Sequence, residues 1–360
     1  MVGCLGMLGQ DCRKRGCWSA VFYPKVAPEW YRRMVGGLNM GDVHQQPVPE
    51  GSLLLLGYVS LAVPELEPVE FYWLKGGIEA GRSLKQRDGE EIRANVGPSQ
   101  FRFPLAAGAP AQRWPGEITL WVDDIRQTTD AFNMLGRTLG VDIVNELTSA
   151  EAGGEFMLKL KDPFRRSIIK VTEAPLGYAE KIRKIAHDVS MGDEQYPPKV
   201  FNPLAISDVK IFVPSREVML SVVRFYQHYL LVPMKSAGPT EYQVQLHFGP
   251  GDGLHQTVTF VQDPGASFAD LGSICVYVAE KTMFARAFAR CKVGGILGAA
   301  SPTDLHEAER NCEFQLSCIQ DPGTKTALIP LQHVVRLASH PECPLHMSAA
   351  PATPSAARGA

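Results

Sequence analysis

The sequence predicts an α+β protein, four βαβββ modules paired into two cupped-sheet domains. One strand pattern is written four times, at Gly57–Val63, Gly116–Val122, Ser207–Val213 and Gly272–Val278. Each copy opens on a small residue and then sets an aliphatic side chain at every second position. A helical stripe follows every copy, and turn-punctuated apolar runs follow every stripe.

Strict alternation marks a strand with one buried face. That face is Val59, Leu61 and Val63 in the first copy and Ile118, Leu120 and Val122 in the second. The third copy gives Val209, Ile211 and Val213, and the fourth Ile274, Val276 and Val278. The stripes that follow are Leu66, Val69 and Trp73; Ile125, Phe132, Leu135 and Leu139; Val218, Val222, Phe225 and Tyr229; and Phe284, Phe288 and Cys291. A helix with one apolar stripe lays it on a sheet, and the aliphatic strand faces are the natural partners. In the third copy the later strands read as Pro233–Ala237, Glu241–Phe248 and His255–Gln262. The glycine-rich stretch 249–253 between the last two reads as a hairpin connection, because no helix follows it to cradle a phosphate.

The copies begin 59, 91 and 65 residues apart, counted at Tyr58, Glu117, Asp208 and Ser273. The long middle gap holds a charged helical piece near 179–189 and then Pro197, Pro198 and Pro203, as a linker does. The expected organisation is an N-terminal extension (1–50), a first two-module domain (51–175), a linker (176–203), a second two-module domain (204–337) and a disordered tail (338–360). The first 41 residues carry six basic side chains against two acidic ones, a net of +4. This reads as a poorly packed extension or as an organelle-targeting segment.

Composition excludes several classes. Among 360 residues, 45% are hydrophobic and 21% charged, with a net charge of -2, so no basic field exists to hold nucleic acid. No apolar run approaches the roughly 18 residues of a membrane helix. Eight cysteines form no CxxC pair, which fits reduced thiols in the cytoplasm. Cys4, Cys12, Cys17 and His44 match no zinc spacing. Neither GxGxxG, a Walker loop nor GxSxG occurs. Cys275 has no base beside it in sequence and reads as a core thiol.

The run Leu61-Ala62-Val63-Pro64-Glu65-Leu66-Glu67-Pro68-Val69-Glu70-Phe71-Tyr72 is a strand turning into a helix. Val122-Asp123-Asp124-Ile125 and Val213-Pro214-Ser215-Arg216 repeat that entry, Asp162-Pro163-Phe164 forms a turn before a last strand, and 95–104 closes the first copy. Over residues 51–337 this resembles the vicinal-oxygen-chelate superfamily of glyoxalase I, bleomycin-resistance proteins and extradiol dioxygenases. The resemblance implies cupped sheets that take a small molecule. In the enzymes it implies a divalent metal (zinc, iron or manganese), held by His, Gln or Glu on the first and last strands of each module.

The strand faces turned away from the helices line the expected cups. Tyr58, Ser60 and Ala62 would face Glu117, Thr119 and Trp121, with Gln100, Arg102 and Lys170 on closing strands. Asp208, Lys210 and Phe212 would face Ser273, Cys275 and Tyr277, with His255, Thr257, Thr259, Leu331 and His333 on closing strands. Glu117 is expected within ion-pair reach of Arg102 or Lys170, a plain ion pair or a receptor for an anion. The candidate ligand-binding set is thus Tyr58, Gln100, Arg102, Glu117, Trp121, Lys170, Asp208, Phe212, His255, Tyr277 and His333, with no cofactor and no metal expected, and a divalent metal only in the alternative reading. Two functions follow: a metal-free member binding a small molecule or a protein partner, and a metal-dependent lyase or dioxygenase using Asp208, His255 and His333.

Overall fold

Alternation and stripe translate directly into the computed structural model, which describes residues 53–75, 80–86, 89–139, 146–149, 156–164, 167–182, 203–247, 255–268 and 271–344. Module one is β1 (Leu53–Ser60), α1 (Glu67–Lys75), β2 (Ala80–Gln86), β3 (Gly89–Val96) and β4 (Ser99–Pro104). Module two is β5 (Gly116–Val122), α2 (Ile125–Leu139), β6 (Glu146–Ser149), β7 (Phe156–Lys161) and β8 (Ile168–Glu173). Module three is β9 (Ala205–Val213), α3 (Arg216–Phe225) running into a π turn (Tyr226–Leu230), β10 (Lys235–Gly238), β11 (Glu241–His247) and β12 (His255–Gln262). Module four is β13 (Ser273–Val278), α4 (Lys281–Gly294), α5 (Leu305–Asn311), β14 (Glu313–Leu316), the hairpin β15 (Ile319–Gln320) and β16 (Ala327–Ile329), and β17 (Gln332–Leu337).

Every aliphatic strand face named above is buried in one core shared by both sheets. The stripes meet it: Trp73 stacks on Phe101 at 5.3 Å, and Val222, Phe225, Phe284 and Phe288 are fully enclosed. The side chains of Leu135 and Leu139 lie outside the described residues, as do the 249–253 loop, the Cys4–His44 group and the basic extension. Local chemistry sets the helix ends. Ser215 caps α3 by accepting from the Val218 amide, and Asp304 caps α5 by accepting from Glu307 at 2.9 Å. Gly295 closes α4 at φ 69°, where a glycine is least strained. Among the described residues no helix is long and apolar enough to cross a membrane.

The module pairing corrects the expected domains. The strand orders are β14-β17-β13-β1-β4-β3-β2 and β10-β11-β12-β9-β5-β8-β7-β6. Module one therefore pairs with module four, through antiparallel β1 and β13, and module two with module three, through antiparallel β5 and β9. We call these the outer and inner cups. Alternation fixes which face of a strand is buried but is indifferent to its partner, so both pairings satisfy the sequence pattern. Trp114 anchors the crossing from β4 to the inner sheet, its ring nitrogen donating to the Lys210 carbonyl at 2.8 Å. All described residues fall in one compact unit, so residues 51–175 and 204–337 are not separate bodies. The tail expectation is also corrected at its start. Residues 338–344 turn back on the outer cup, with Cys343 fully buried.

The small residue opening each repeat sits at a seam. A Cβ on Gly116 would stand 2.1 Å from the Lys210 carbonyl oxygen, and one on Gly272 would stand 1.9 Å from that of Ser60. Opposite them, the pairing slips beside Gly57 in β1 and beside Ser207 in β9. Such slips free backbone groups that need other partners. Gln256, on the core side of β12, supplies them. Its Oε1 accepts from the Leu56 amide at 2.8 Å, and its Nε2 donates to the Ile206 carbonyl at 2.6 Å and to Ser99 Oγ at 2.9 Å. Ser99 Oγ donates on to the Leu56 carbonyl at 2.7 Å. Gln256 and Ser99 hold equivalent places in their modules, each one residue before the partner of Asp208 or Tyr58. One polar bridge thus ties the two sheets.

Candidate functional site

In the inner cup, Glu117, Thr119 and Trp121 of β5, Lys170 of β8, Asp208, Lys210 and Phe212 of β9, and His255, Thr257 and Thr259 of β12 share one face. Lys170 Nζ lies 2.6 Å from Glu117 Oε2. The other candidate partner, Arg102, belongs to the outer sheet. Asp208 Oδ1 accepts from Thr257 at 2.5 Å and Thr259 at 2.7 Å. Burial raises the Asp208 carboxyl above its ordinary value, against those two hydrogen bonds. Trp121 turns to the Tyr178 ring, edge-on at 5.7 Å, in an apolar cluster with Leu204 and Ala205. Phe212 is half-buried. His255 opens β12 with its ring 5.6 Å from His247 and Nε2 3.4 Å from the Gln245 amide nitrogen.

His333 is a correction. The register of β17 pairs it with Ile274, which puts it on the helix side of the outer sheet. A one-residue slip in a closing strand moves every side chain to the opposite face. The ring is fully buried between Phe225 and Tyr226. Its Nδ1 faces the Leu331 carbonyl at 3.3 Å, so that nitrogen carries the proton and Nε2 accepts from the Tyr226 hydroxyl at 2.8 Å. Burial pushes its pKa down to about 4, which keeps it neutral. It cannot join Asp208 and His255.

The outer cup gathers Tyr58 (β1), Gln100 and Arg102 (β4), Cys275 and Tyr277 (β13), and three residues that sequence reasoning passed over: Arg93, Arg336 and Glu342. The Arg102 guanidinium lies 4.0 Å from the Tyr58 ring centre and that of Arg336 lies 5.5 Å from it. Both arginines are buried, at 6% and 7% exposure. Gln100 orients Arg102 by accepting from Nε at 3.2 Å and Nη2 at 3.1 Å, and is itself held by Asn95 at 2.9 Å. Arg336 Nε donates to Glu313 at 2.6 Å, and Arg93 Nε donates to Glu91.

On this cradle sits Glu342. Its Oε2 accepts from Arg336 Nη1 at 2.6 Å and Arg102 Nη2 at 2.9 Å, and its Oε1 from Arg93 Nη1 at 3.0 Å. Its backbone carbonyl accepts from the Tyr277 hydroxyl at 2.9 Å. Burial opposes ionisation of Glu342, but the Arg102 and Arg336 charges prevail and hold the carboxyl well below its ordinary value. Burial raises the Tyr58 and Tyr277 phenols and pushes the Cys275 thiol up to about 12, so Cys275 stays protonated. A cavity of about 30 Å³ remains between Tyr58, Gln100, Arg102, Tyr277, Glu342 and Pro344. That is room for about two water molecules. Arg336 was legible by parity, three positions beyond the histidine that drew attention. Glu342 had one signal, being the only acidic residue between 338 and 360.

A divalent metal needs several lone-pair donors converging on one point. The outer cup instead aims two guanidiniums at its floor, beside a protonated thiol. The inner cup commits Glu117 to Lys170 and Asp208 Oδ1 to two hydroxyls. Among the described residues no three His, Cys, Asp or Glu side chains come together as a metal group. This donor set does not fit the ion that the resemblance implies.

No protein-family model and no curated protein matches the sequence. Solved structures match in shape. A candidate dioxygenase from Bacillus subtilis superposes with a TM-score of 0.50 at 10% identity, over 79% of this chain and 86% of that one. A glyoxalase I mutant from Zea mays gives 0.48 at 12% identity, over 79% and 94%. At these identities the likeness is one of fold. The chain has the vicinal-oxygen-chelate fold, glyoxalase- and dioxygenase-like, in four modules.

Proposed function

We propose that this protein binds a small molecule in its outer cup without a catalytic metal. The observation that carries the reading is the pair of buried guanidiniums, Arg102 and Arg336, on the last strands of modules one and four. Unit charges 4 Å apart interact by about 4 kcal/mol at an effective dielectric near 20, and a dication doubles that repulsion. The same geometry favours an anionic ligand, which a planar guanidinium fork grips by two bonds at once. A protein partner that presents an acidic side chain would use the same contacts. We place the protein in the cytoplasm, with organelle targeting by the basic segment 1–50 as the alternative; a reporter fused to residues 1–50 decides between them.

Elemental analysis tests the metal-free reading. Protein purified without chelator, and protein dialysed against zinc, iron and manganese, is expected to hold far less than one ion per chain. The second reading, a metal-dependent lyase or dioxygenase, is favoured by one observation: Asp208 and His255 share the inner-cup face. Close to one tightly held ion per chain, lost on Asp208→Ala, would replace the first reading by the second.

A further inference from the structure

The outer cup already holds a carboxylate, and it is the chain's own. We propose that this cup is a site for a small carboxylate ligand, and that Glu342, on the segment 338–344, is its exchangeable internal occupant. The proposal rests on the small-molecule reading above and names the ligand class.

Three features support exchange over a permanent fastening. The cradle is built independently of Glu342. Gln100 holds Arg102, Glu313 holds Arg336 through Nε, and Glu91 holds Arg93 through Nε. Each guanidinium then offers a remaining N–H edge to one point, a geometry that persists when Glu342 leaves. The occupant sits at the rim of the cup. Its side chain is 39% exposed, and its segment is held by the three arginines, the Tyr277 bond, the Ala338 amide on the Val278 carbonyl and the buried Cys343. The void beside the carboxylate is walled by Tyr58, Tyr277 and Pro344 on one hand and by Asn95 and Gln100 on the other, which leaves room for a ligand slightly larger than a glutamate side chain. The depressed Glu342 carboxyl fits a cradle that binds the anion rather than the acid.

Full-length protein tests this with three probes: propionate, which is the acid of the glutamate side chain in free form; propionamide, its neutral counterpart; and inorganic phosphate. The first readout is alkylation of Cys343 by iodoacetamide in the wild type, resolved by peptide mass spectrometry. Cys343 is sealed while the segment is docked, so propionate is expected to raise its labelling severalfold and saturably, while propionamide and phosphate leave it unchanged. The second readout is propionate binding to Glu342→Gln. Removing the internal competitor is expected to tighten it by about tenfold or more, since an occupied site lowers apparent affinity by its free fraction. Adding Arg336→Gln to that variant should abolish the gain.

Unchanged Cys343 labelling at saturating propionate overturns the exchange, whatever the variant does. Raised labelling without tighter binding by Glu342→Gln, in protein shown to be folded by thermal unfolding, overturns the shared site. Phosphate acting as well as propionate overturns the ligand class. These results are separable from the metal question. An ion in the inner cup would sink the metal-free reading and leave the Cys343 answer standing.

Discussion

Gln256 is a buried amide on which two backbone groups depend. Leu56 N–H and the Ile206 carbonyl sit where the seam pairing slips, and each finds its partner on that one side chain. Replacing it by leucine keeps most of the volume and strands both groups. Each buried unsatisfied group costs about 1–3 kcal/mol, so Gln256→Leu is expected to lose roughly 3 kcal/mol of stability. Urea unfolding should show this as a lower midpoint with an unchanged slope, and a loss below about 1 kcal/mol would mean water replaces the amide. Adding Ser99→Ala should cost less than the sum, because the two side chains share one network. Little of this was legible. In β12 the sequence shows Gln256 only as a polar residue on the face of Val258 and Phe260, and its partners lie on strands far away in the chain. Residue type misled in the same way at His333. A histidine invites a site, yet strand parity places it against Tyr226, while Arg336 three positions later reaches the cup.

The seams decide the strands. Gly272 and Gly116 allow β13 and β5 to approach their partners closely enough that a methyl group would overlap a carbonyl oxygen. Gly272→Ala must push β1 and β13 apart along the seam, with an expected loss of about 3 kcal/mol or more. Gly295→Ala is the control. A Cβ there meets nothing within 4 Å, and only the positive φ is strained, so the loss should be near 1 kcal/mol. Thermal unfolding of the two variants separates contact from conformation, and equal losses would refute the seam account. At this scale the sequence was informative. The small residue that opens each repeat, the alternation behind it and the stripe after it gave the first strand and the main helix of all four modules. The reason for the small residue was hidden, because it lies in the carbonyl of a strand not adjacent in sequence.

For the molecule as a whole, the pairing is nested: the inner two modules share one sheet and the outer two enclose them in sequence. Each half of the chain therefore contributes one module to each sheet. Residues 1–182 expressed alone leave β1 and β5 without their seam partners, and residues 183–360 leave β9 and β13 without theirs. Unpaired apolar strand edges aggregate. Each half is expected to be insoluble or unfolded alone, and the two to co-purify as one cooperative species when co-expressed. Two independently folded monomeric halves would favour the sequential pairing instead. The nesting was illegible from sequence for a physical reason: alternation and spacing describe each module by itself, whereas partner choice depends on seam contacts and on Trp114 crossing to the inner sheet. The folded start of the tail escaped notice because alanine, proline and serine set the tail's composition, while its contacts rest on a few residues, Glu342 and Cys343 foremost.

Nesting also has a consequence in time. The β1 strand, with Leu53, Leu54, Leu55 and Leu56 at its start, leaves the ribosome roughly 210 residues before its partner β13. At synthesis rates of about 5–20 residues per second, that strand waits on the order of 10–40 s with one edge open. The inner sheet has its whole complement of strands before β13 is made. Were the inner sheet to fold as soon as its strands exist, Gln256 would be in place to receive Leu56. The bridge that ties two sheets in the finished protein would then shelter the first strand during its own biosynthesis, and the last module would arrive to a seam already held in place.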